Sequence, residues 1–403
     1  LTQEFEAELA TLGTRVDNLE GRVGFLEDNQ FSTTAKLSGS VVFMNPIVFG
    51  GNDEGAPDLT EGETLGEVDS NLGFVYDAVL DIEASFTGRD ELKVSLQSAN
   101  FGDTSFEVGA AGTGDVALDN SEDTGNSFDM EDLIYSFPLG QRIQVEIGAL
   151  DFDPDSAFDY SYGSGATFSD FTIDGEEAIT DGTGTEDDTG ISVNIGLTDR
   201  LSFGVGYTTD DENATDPGIG LFQDYSLASA LNYSGNNFDI GIAYNLTQTG
   251  APIVDDTQNA IGLRGAARLG ARTEIGGFVE YIDRDVNVLN ALGDSSTDGW
   301  SFGANLAFFD IGKEGSTLGI AFASRAFFED IESEDNVNPD DDPALFLSGL
   351  QDSDRTFIAE VFYDLPVNDN VSLTPGLFAV FNPDGNENND TIYVGVLRTS
   401  FSF

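Results

Sequence analysis

The chain has 403 residues, long enough for two ordinary soluble domains or one large barrel, and sets 74 acidic against 15 basic residues for a formal charge of −59. Cysteine and histidine are both absent, which excludes disulfide scaffolds, thiolate nucleophiles, zinc centres and every histidine-based triad. So few cations also exclude nucleic-acid binding through phosphate neutralisation.

The 47 glycines and 32 phenylalanines beside two methionines suit antiparallel β structure with a tight inner face. No apolar run reaches the roughly 18 to 20 residues of a membrane helix. A barrel strand crosses a bilayer in about 9 to 11 residues with apolar side chains at every second position, so the missing helix leaves that option open.

The chain opens inside a helical repeat without a signal peptide, as expected of a processed or trimmed product. Leu9, Val16 and Val23 fall at a of a heptad and Leu12, Leu19 and Leu26 at d. Arg15 and Arg22 then take g, and Glu20 and Glu27 take e, placed for interhelical ion pairs. Segments 15–20 and 22–27 follow an Arg-apolar-x-x-apolar-Glu pattern resembling that of three-stranded coiled coils. Val at a with Leu at d leans towards two strands on shape alone. Residues 1–30 are expected to form a periplasmic coiled-coil helix that trimerises the chain, with an amphipathic helix packed on its own domain as the plainer alternative.

From residue 35 the apolar period changes from 3.5 to 2 and stays there. Within 71–87, Leu72, Phe74, Tyr76, Ala78, Leu80, Ile82, Ala84 and Phe86 alternate with partners that include Asp77, Asp81, Glu83 and Ser85. The same alternation recurs down the chain to Tyr393, Leu397, Phe401 and the terminal Phe403. Alternation alone would also suit a soluble sandwich. The connections decide: short gaps near 88–90, 139–140, 198–200, 235–236, 270–271, 311–315 and 367–370 alternate with mostly long, acidic ones. The latter lie at about 44–70, 100–127, 151–190, 209–223, 248–256, 284–298, 328–354 and 382–390. Seven turns and eight loops predict a sixteen-stranded antiparallel transmembrane β-barrel over 31–403, all-β, with both termini on the periplasmic side. Tyr207, Tyr225, Tyr233, Tyr244, Tyr281 and Tyr363 are placed for its aromatic girdles.

The heptad stretch 9–26 and the junction Asn-Gln-Phe-Ser-Thr-Thr-Ala-Lys-Leu-Ser-Gly at 29–39 resemble the cyanobacterial outer-membrane porins that join an S-layer-homology domain to a carbohydrate-selective-porin-type barrel. The resemblance covers essentially the whole chain, and the junction is its most specific part. It implies a trimer in the outer membrane, with a domain upstream of this chain gripping the peptidoglycan layer. Carbohydrate-selective and iron-uptake are both labels borne by such proteins.

A barrel of sixteen strands needs narrowing, usually by an inward loop. The longest connection, 151–190, is the candidate: Asp151, Asp153, Asp155, Asp159, Asp170, Asp174, Glu176 and Glu177 alternate with aromatics that could pack it on the wall. A solvated external loop is the alternative. Strand parity points Asp77, Asp81, Glu83, Lys93, Glu146, Arg264, Arg268, Glu280, Arg325 and Glu360 inward, since a mid-depth charge facing lipid costs about 2 to 4 kcal/mol. They could set a transverse field or merely pair and solubilise the wall. The Asx-rich stretches 338–342 and 382–390 could hold calcium loosely, although neither has an EF-hand register. No cofactor is expected, and without histidine or cysteine no constellation supports an enzyme. The expected function is a cation-preferring pore for ions and small hydrophilic solutes; a low-conductance tether of the outer membrane to the wall is the alternative.

Overall fold

A computed structural model describes residues 35–51, 71–101, 116–118, 123–153, 158, 163–173, 177–180, 188–251, 254–288, 293–333 and 354–403. Residues 1–30, with the whole predicted heptad seam, lie outside these, as do 338–342.

The strands are β1 (Lys36–Gly50), β2 (Val75–Ala84), β3 (Glu91–Ala99), β4 (Asp129–Pro138), β5 (Ile143–Gly148), β6 (Asp188–Gly196), β7 (Leu201–Asp210) and β8 (Tyr225–Ser234). The second half follows as β9 (Phe238–Ala251), β10 (Val254–Arg268), β11 (Thr273–Val288), β12 (Gly293–Phe309), β13 (Thr317–Ser333), β14 (Phe357–Asn368), β15 (Val371–Phe381) and β16 (Ile392–Ser402). Each pairs antiparallel with its sequence neighbour, and β1 pairs with β16, giving a closed barrel of sixteen strands. Among the described residues no helix is long and apolar enough to cross a membrane.

Closure is made at the C-terminus. Ser40 to Gly50 register against Ser402 to Ile392, and Gly39 exchanges backbone bonds of 3.0 Å each way with Phe403. A Cβ on Gly39 would lie 2.7 Å from the Phe403 ring and 2.9 Å from the Val79 carbonyl, so the terminal phenylalanine sits where only glycine lets it. Closure removes the edges that would otherwise leave amides unpaired in hydrocarbon.

Side chains alternate as a barrel demands. Ile240, Ile242, Tyr244, Ile261, Leu263, Val279, Trp300, Phe302, Ile320 and Phe322 are exposed on the outer face. The intervening Ala243, Asn245, Ala260, Arg264, Phe278, Glu280, Ser301, Asn305 and Ala321 are buried on the inner one. Stacked rings mark the outer belts: Tyr207 with Tyr225, and Phe49 with Tyr393.

Two expected loops are hairpins instead. The strands flanking 248–256 and 284–298 run on to Ala251, Val254, Val288 and Gly293. The sequence there loses its apolar alternation at Asp255, Asp256, Asp283, Arg284 and Asp285 because both faces have left the apolar band. Strands of 14 to 17 residues from β9 to β13 thus stand beside the 6 to 10 residues of β2 to β5.

The turn between β2 and β3 is held by one carboxylate. Asp90 accepts bonds from the Thr87 hydroxyl (2.6 Å), the Thr87 amide (2.7 Å), Ser85 (2.9 Å) and Tyr135 (2.8 Å). Chiefly the Thr87 bonds hold its carboxyl well below the ordinary range. A depressed folded-state value stabilises above the unfolded value of about 4 and is lost as pH falls through the folded value. Asp90→Asn should therefore lower the detergent unfolding temperature at pH 7, and the gap from wild type should shrink progressively below about pH 4. A gap independent of pH would contradict the role assigned to the carboxylate.

Candidate functional site

The inner wall is chemically divided, and the division is written in the strands. On β14 to β16 and β1 many inward positions are apolar, among them Ile358 and Phe362, Phe378 and Val380, Ile392, Val394 and Val396, Met44 and Val48. Together with Val75 they form one buried cluster with Phe101, Val116 and Leu118 of the 100–128 connection and Phe168 and Phe171 of the 151–190 loop. Two loops therefore fold into the barrel and meet there, joined by a bridge between Leu118 and Ser169.

The 151–190 loop is rooted by Phe152, whose amide bonds the Asp188 carbonyl at 3.1 Å. Its ring lies over Gly148 and Gly190, where a Cβ would come within 2.2 and 2.9 Å. Beyond the root, the described residues travel around the inner wall. Gly163 and Gly165 press on Asn305 of β12. Ser164 gives its amide and hydroxyl to Glu274 of β11, at 2.9 and 2.8 Å. Ala166 packs on Phe278 and Ala323. Two short helical turns follow, α1 (Asp170–Ile173) and α2 (Glu177–Thr180). Ala178 and Ile179 of α2 lie among Ala230, Ala243, Ala260, Ile282 and Phe328. The amide of Asn245 reaches the Ala178 carbonyl at 3.2 Å. The small residues of β8 to β10 make the room that this turn fills.

Glu360 is the pin of the arrangement. Its carboxylate is 2% exposed and accepts the amides of Thr167 (2.8 Å), Phe168 (3.1 Å) and Ser169 (2.9 Å) and the Thr172 hydroxyl (2.8 Å). Arg398 of β16 closes on the same segment: it donates to the Thr167 carbonyl at 2.9 Å and lies 4.9 Å from the centre of the Phe168 ring. That ring rests on Gly376 of β15, where a Cβ would approach it to 2.3 Å. A buried carboxylate that accepts four hydrogen bonds from the loop, with the Arg398 guanidinium on the same segment, suits a position sealed from water.

The expected inward residues divide accordingly. Glu360, Glu280 and Arg264 face inward but are buried at 2%, 1% and 9% exposure, so they are covered instead of meeting open water. Arg268 pairs with Glu274 at 2.8 Å and lies over Phe309. Arg325 lies 5.0 Å from the Phe171 ring centre. Asp77 is buried, while Asp81, Glu83, Lys93 and Glu146 are half-buried on the inner face of β2 to β5. Lys93 binds Asp132 at 2.6 Å, Ser95 binds Asp81 at 2.7 Å, and Ser136 binds Glu146 at 2.7 Å.

Of the expected loop carboxylates, Asp151 and Asp153 belong to the root, and Asp170 and Glu177 open α1 and α2. Asp155, Asp159, Asp174 and Glu176 lie outside the described residues. Among the described residues no group of three or more acidic side chains could hold a metal. The 382–390 stretch is a short helical turn at Pro383–Gly385 that hydrogen-bonds to its own backbone and to Thr356.

Arg398, Asp132 and the pair Arg284–Asp256, whose bonds include one of 2.9 Å, were not among the expected lining residues. Arg398 and Arg284 take the inward phase of their strands and could have been found by the same parity. Asp132 could not, because β3 and β4 slip register between Val94 and Leu96, and such a bulge breaks parity.

Glu360→Ala should uncover the pinned segment. Each lost bond to a charged group is worth about 1.5 to 3 kcal/mol, so hydrogen exchange at Thr167, Phe168 and Ser169 should rise about tenfold or more while the barrel ladder stays protected. Gly376→Val should do the same by displacing the Phe168 ring. Unchanged exchange in both variants would remove Glu360 and Gly376 as the seat of the loop.

Comparisons with known proteins agree with this geometry. The profile of the OprB family, described as carbohydrate-selective porin, matches residues 1–403. An uncharacterised protein of Nostoc sp. is 30% identical over all of this chain and 71% of its own length. One of Synechocystis sp. is 28% identical over all of this chain and 75% of its own. In fold, the chain is similar to OprB of Pseudomonas putida, at TM-score 0.58 and 12% identity over 96% of this chain and 97% of that one. It is also similar to an anion-selective porin from Comamonas acidovorans, at TM-score 0.56 and 13% identity over 92% and 100%. With a family profile spanning every residue and a closed barrel of sixteen strands entered by an inward loop, the chain belongs to the OprB family of carbohydrate-selective porins and is an outer-membrane channel protein.

Proposed function

We propose that this porin is a narrow, cation-preferring diffusion channel for inorganic ions and small hydrophilic solutes. The water path runs along β2 to β7, opposite the wall that the 151–190 loop occupies, and the loop is its constriction. The observation that carries the reading is the engagement of the inward arginines. Arg268 is matched by Glu274, Arg284 by Asp256, and Arg398 is bound to the loop backbone. On β2 to β5, by contrast, Lys93 is the single strand cation beside Asp81, Asp132 and Glu146, and it pairs with Asp132, while Glu83 is met by Lys36 of β1. Unbalanced carboxylates beside a narrow path favour cations, and low-dielectric walls sharpen the effect.

The short turns face the periplasm and the long connections face outward, in keeping with the usual build of such barrels. Three copies assemble, with the heptad at 9–26 as the periplasmic coiled coil that joins them, and an upstream domain meets the peptidoglycan. The family's carbohydrate label fits the hydroxyl- and amide-bearing inner side of β3 to β6, where Ser95, Gln97 and Ser192 point inward but are buried and Ser136 binds Glu146. A second reading, a weakly conducting tether of membrane to wall, draws support from the two loops packed inside the barrel.

Single-channel recording in a planar bilayer under a potassium chloride gradient separates these. The expected result is stepwise openings in threes with a reversal potential on the cation side. Replacing Asp81, Glu83 and Glu146 by their amides should move that potential towards zero. An anion-side potential would overturn the cation preference, and a silent protein would favour the tether.

A further inference from the structure

The acidic arc of β2 to β5 contains a lysine in a place built for it. Glu83 stands directly across the ladder from Lys93, but its carboxylate is taken at 3.0 Å by Lys36 near the short-turn rim. Asp81 is held by the Ser95 hydroxyl. On the other side of β3, a bulge sets the single residue Ser95 against both Glu131 and Asp132. The bulge re-aims a side chain, as bulges beside functional sites do, and the one it turns inward is Asp132, 8% exposed. Lys93 bonds that carboxylate at 2.6 Å while its own side chain stays 39% exposed. Its ammonium therefore has one face on Asp132 and the other open, within the fields of Asp81 and Glu131.

We infer that Lys93 is a resident counter-cation that sets how strongly this channel holds the ions it passes. The inference rests on the cation-preferring reading for its direction of flow, but its own claim is a sign: Lys93 makes the path less cation-attracting than its carboxylates alone would. Without the ammonium, Asp81 and Asp132 would form an unbalanced negative well in a confined space. Conduction needs binding firm enough to enter and weak enough to leave. A tethered lysine fills the well partway and cannot diffuse out. Its flexible stem keeps a compact point charge beside Asp132 whether or not an ion is passing.

The test uses the full chain in planar bilayers, with wild type, Lys93→Met, Lys93→Arg and Asp132→Asn under the same potassium chloride gradient. Lys93→Met should raise the potassium-to-chloride permeability ratio by about threefold and lower the calcium concentration that halves the current by about tenfold. Lys93→Arg should match wild type. Asp132→Asn, which keeps the ammonium and removes its partner, should shift the ratio the opposite way, towards chloride. The opposed signs guard against misfolding, since a damaged barrel would shift both variants together or leave neither conducting. If Lys93→Met fails to fold, the chloride-ward shift of Asp132→Asn decides. Equal ratios in wild type, Lys93→Met and Asp132→Asn would overturn the inference and leave the pair as a wall fastening. A wild type that prefers anions would instead overturn the proposed function, while the displacement caused by Lys93→Met would still decide the role of Lys93.

Discussion

In hydrocarbon a backbone amide has no water to fall back on, so a sheet in a membrane must end where it began. That requirement is met in one seam, β1 on β16, and the rest of the molecule depends on it. The seam fixes which residues of β14 to β16 stand beside β1, and so brings Met44 and Val48 next to Val394, Val396 and Phe378. An apolar patch inside a water-filled barrel would be unfavourable by itself. Here it is the floor on which Phe101, Leu118, Phe168 and Phe171 are buried, and each buried aromatic is worth a few kcal/mol, about 3 or more, against its exposed state.

The electrostatics follow from the same division. A buried loop needs its backbone polar groups satisfied, and the wall supplies Glu360 and Arg398 for Thr167 to Ser169, Glu274 for Ser164, and Asn245 for the end of α2. The charges that a strand-parity argument would assign to the pore are thus partly fastenings. Under the proposed function the solute is left the opposite arc, where strands are short and Asp81, Glu83 and Glu146 stand half-buried on the inner face. Arg398 is thus engaged by the loop and Arg268 by Glu274, the carboxylate that also receives Ser164.

Much of this was legible in the amino-acid order. The alternation of apolar residues and the rhythm of short and long connections suffice for sixteen antiparallel strands, because a period of two and a closed barrel leave little freedom. The extensions of β9 to β13 were not legible, since Asp283, Arg284 and Asp285 carry no apolar face once a strand stands clear of the lipid. The apolar socket was half-legible: around Ile358, Val361 and Phe362, and again at Leu377, Phe378 and Val380, both phases are apolar, the pattern of a strand buried on both faces. Taken as ordinary alternation with substitutions, that signal passes unnoticed. Parity found Glu360 but could not say that a loop would bury it, because the partner amides lie nearly 200 residues away in the chain, Thr167 and Glu360 being 193 positions apart.

That separation has a temporal meaning. The segment 163–173 follows β5, yet much of its seat is made by β14, β15 and β16, the strands of the barrel that come latest in the chain and complete the ring. Contacts so distant in sequence are the slow ones to form. A barrel still lacking its final hairpin has no floor for Phe168, no carboxylate for Thr167 and no guanidinium above it. The inward loop is consequently seated only once the wall is whole, and an unfinished barrel is a hollow one.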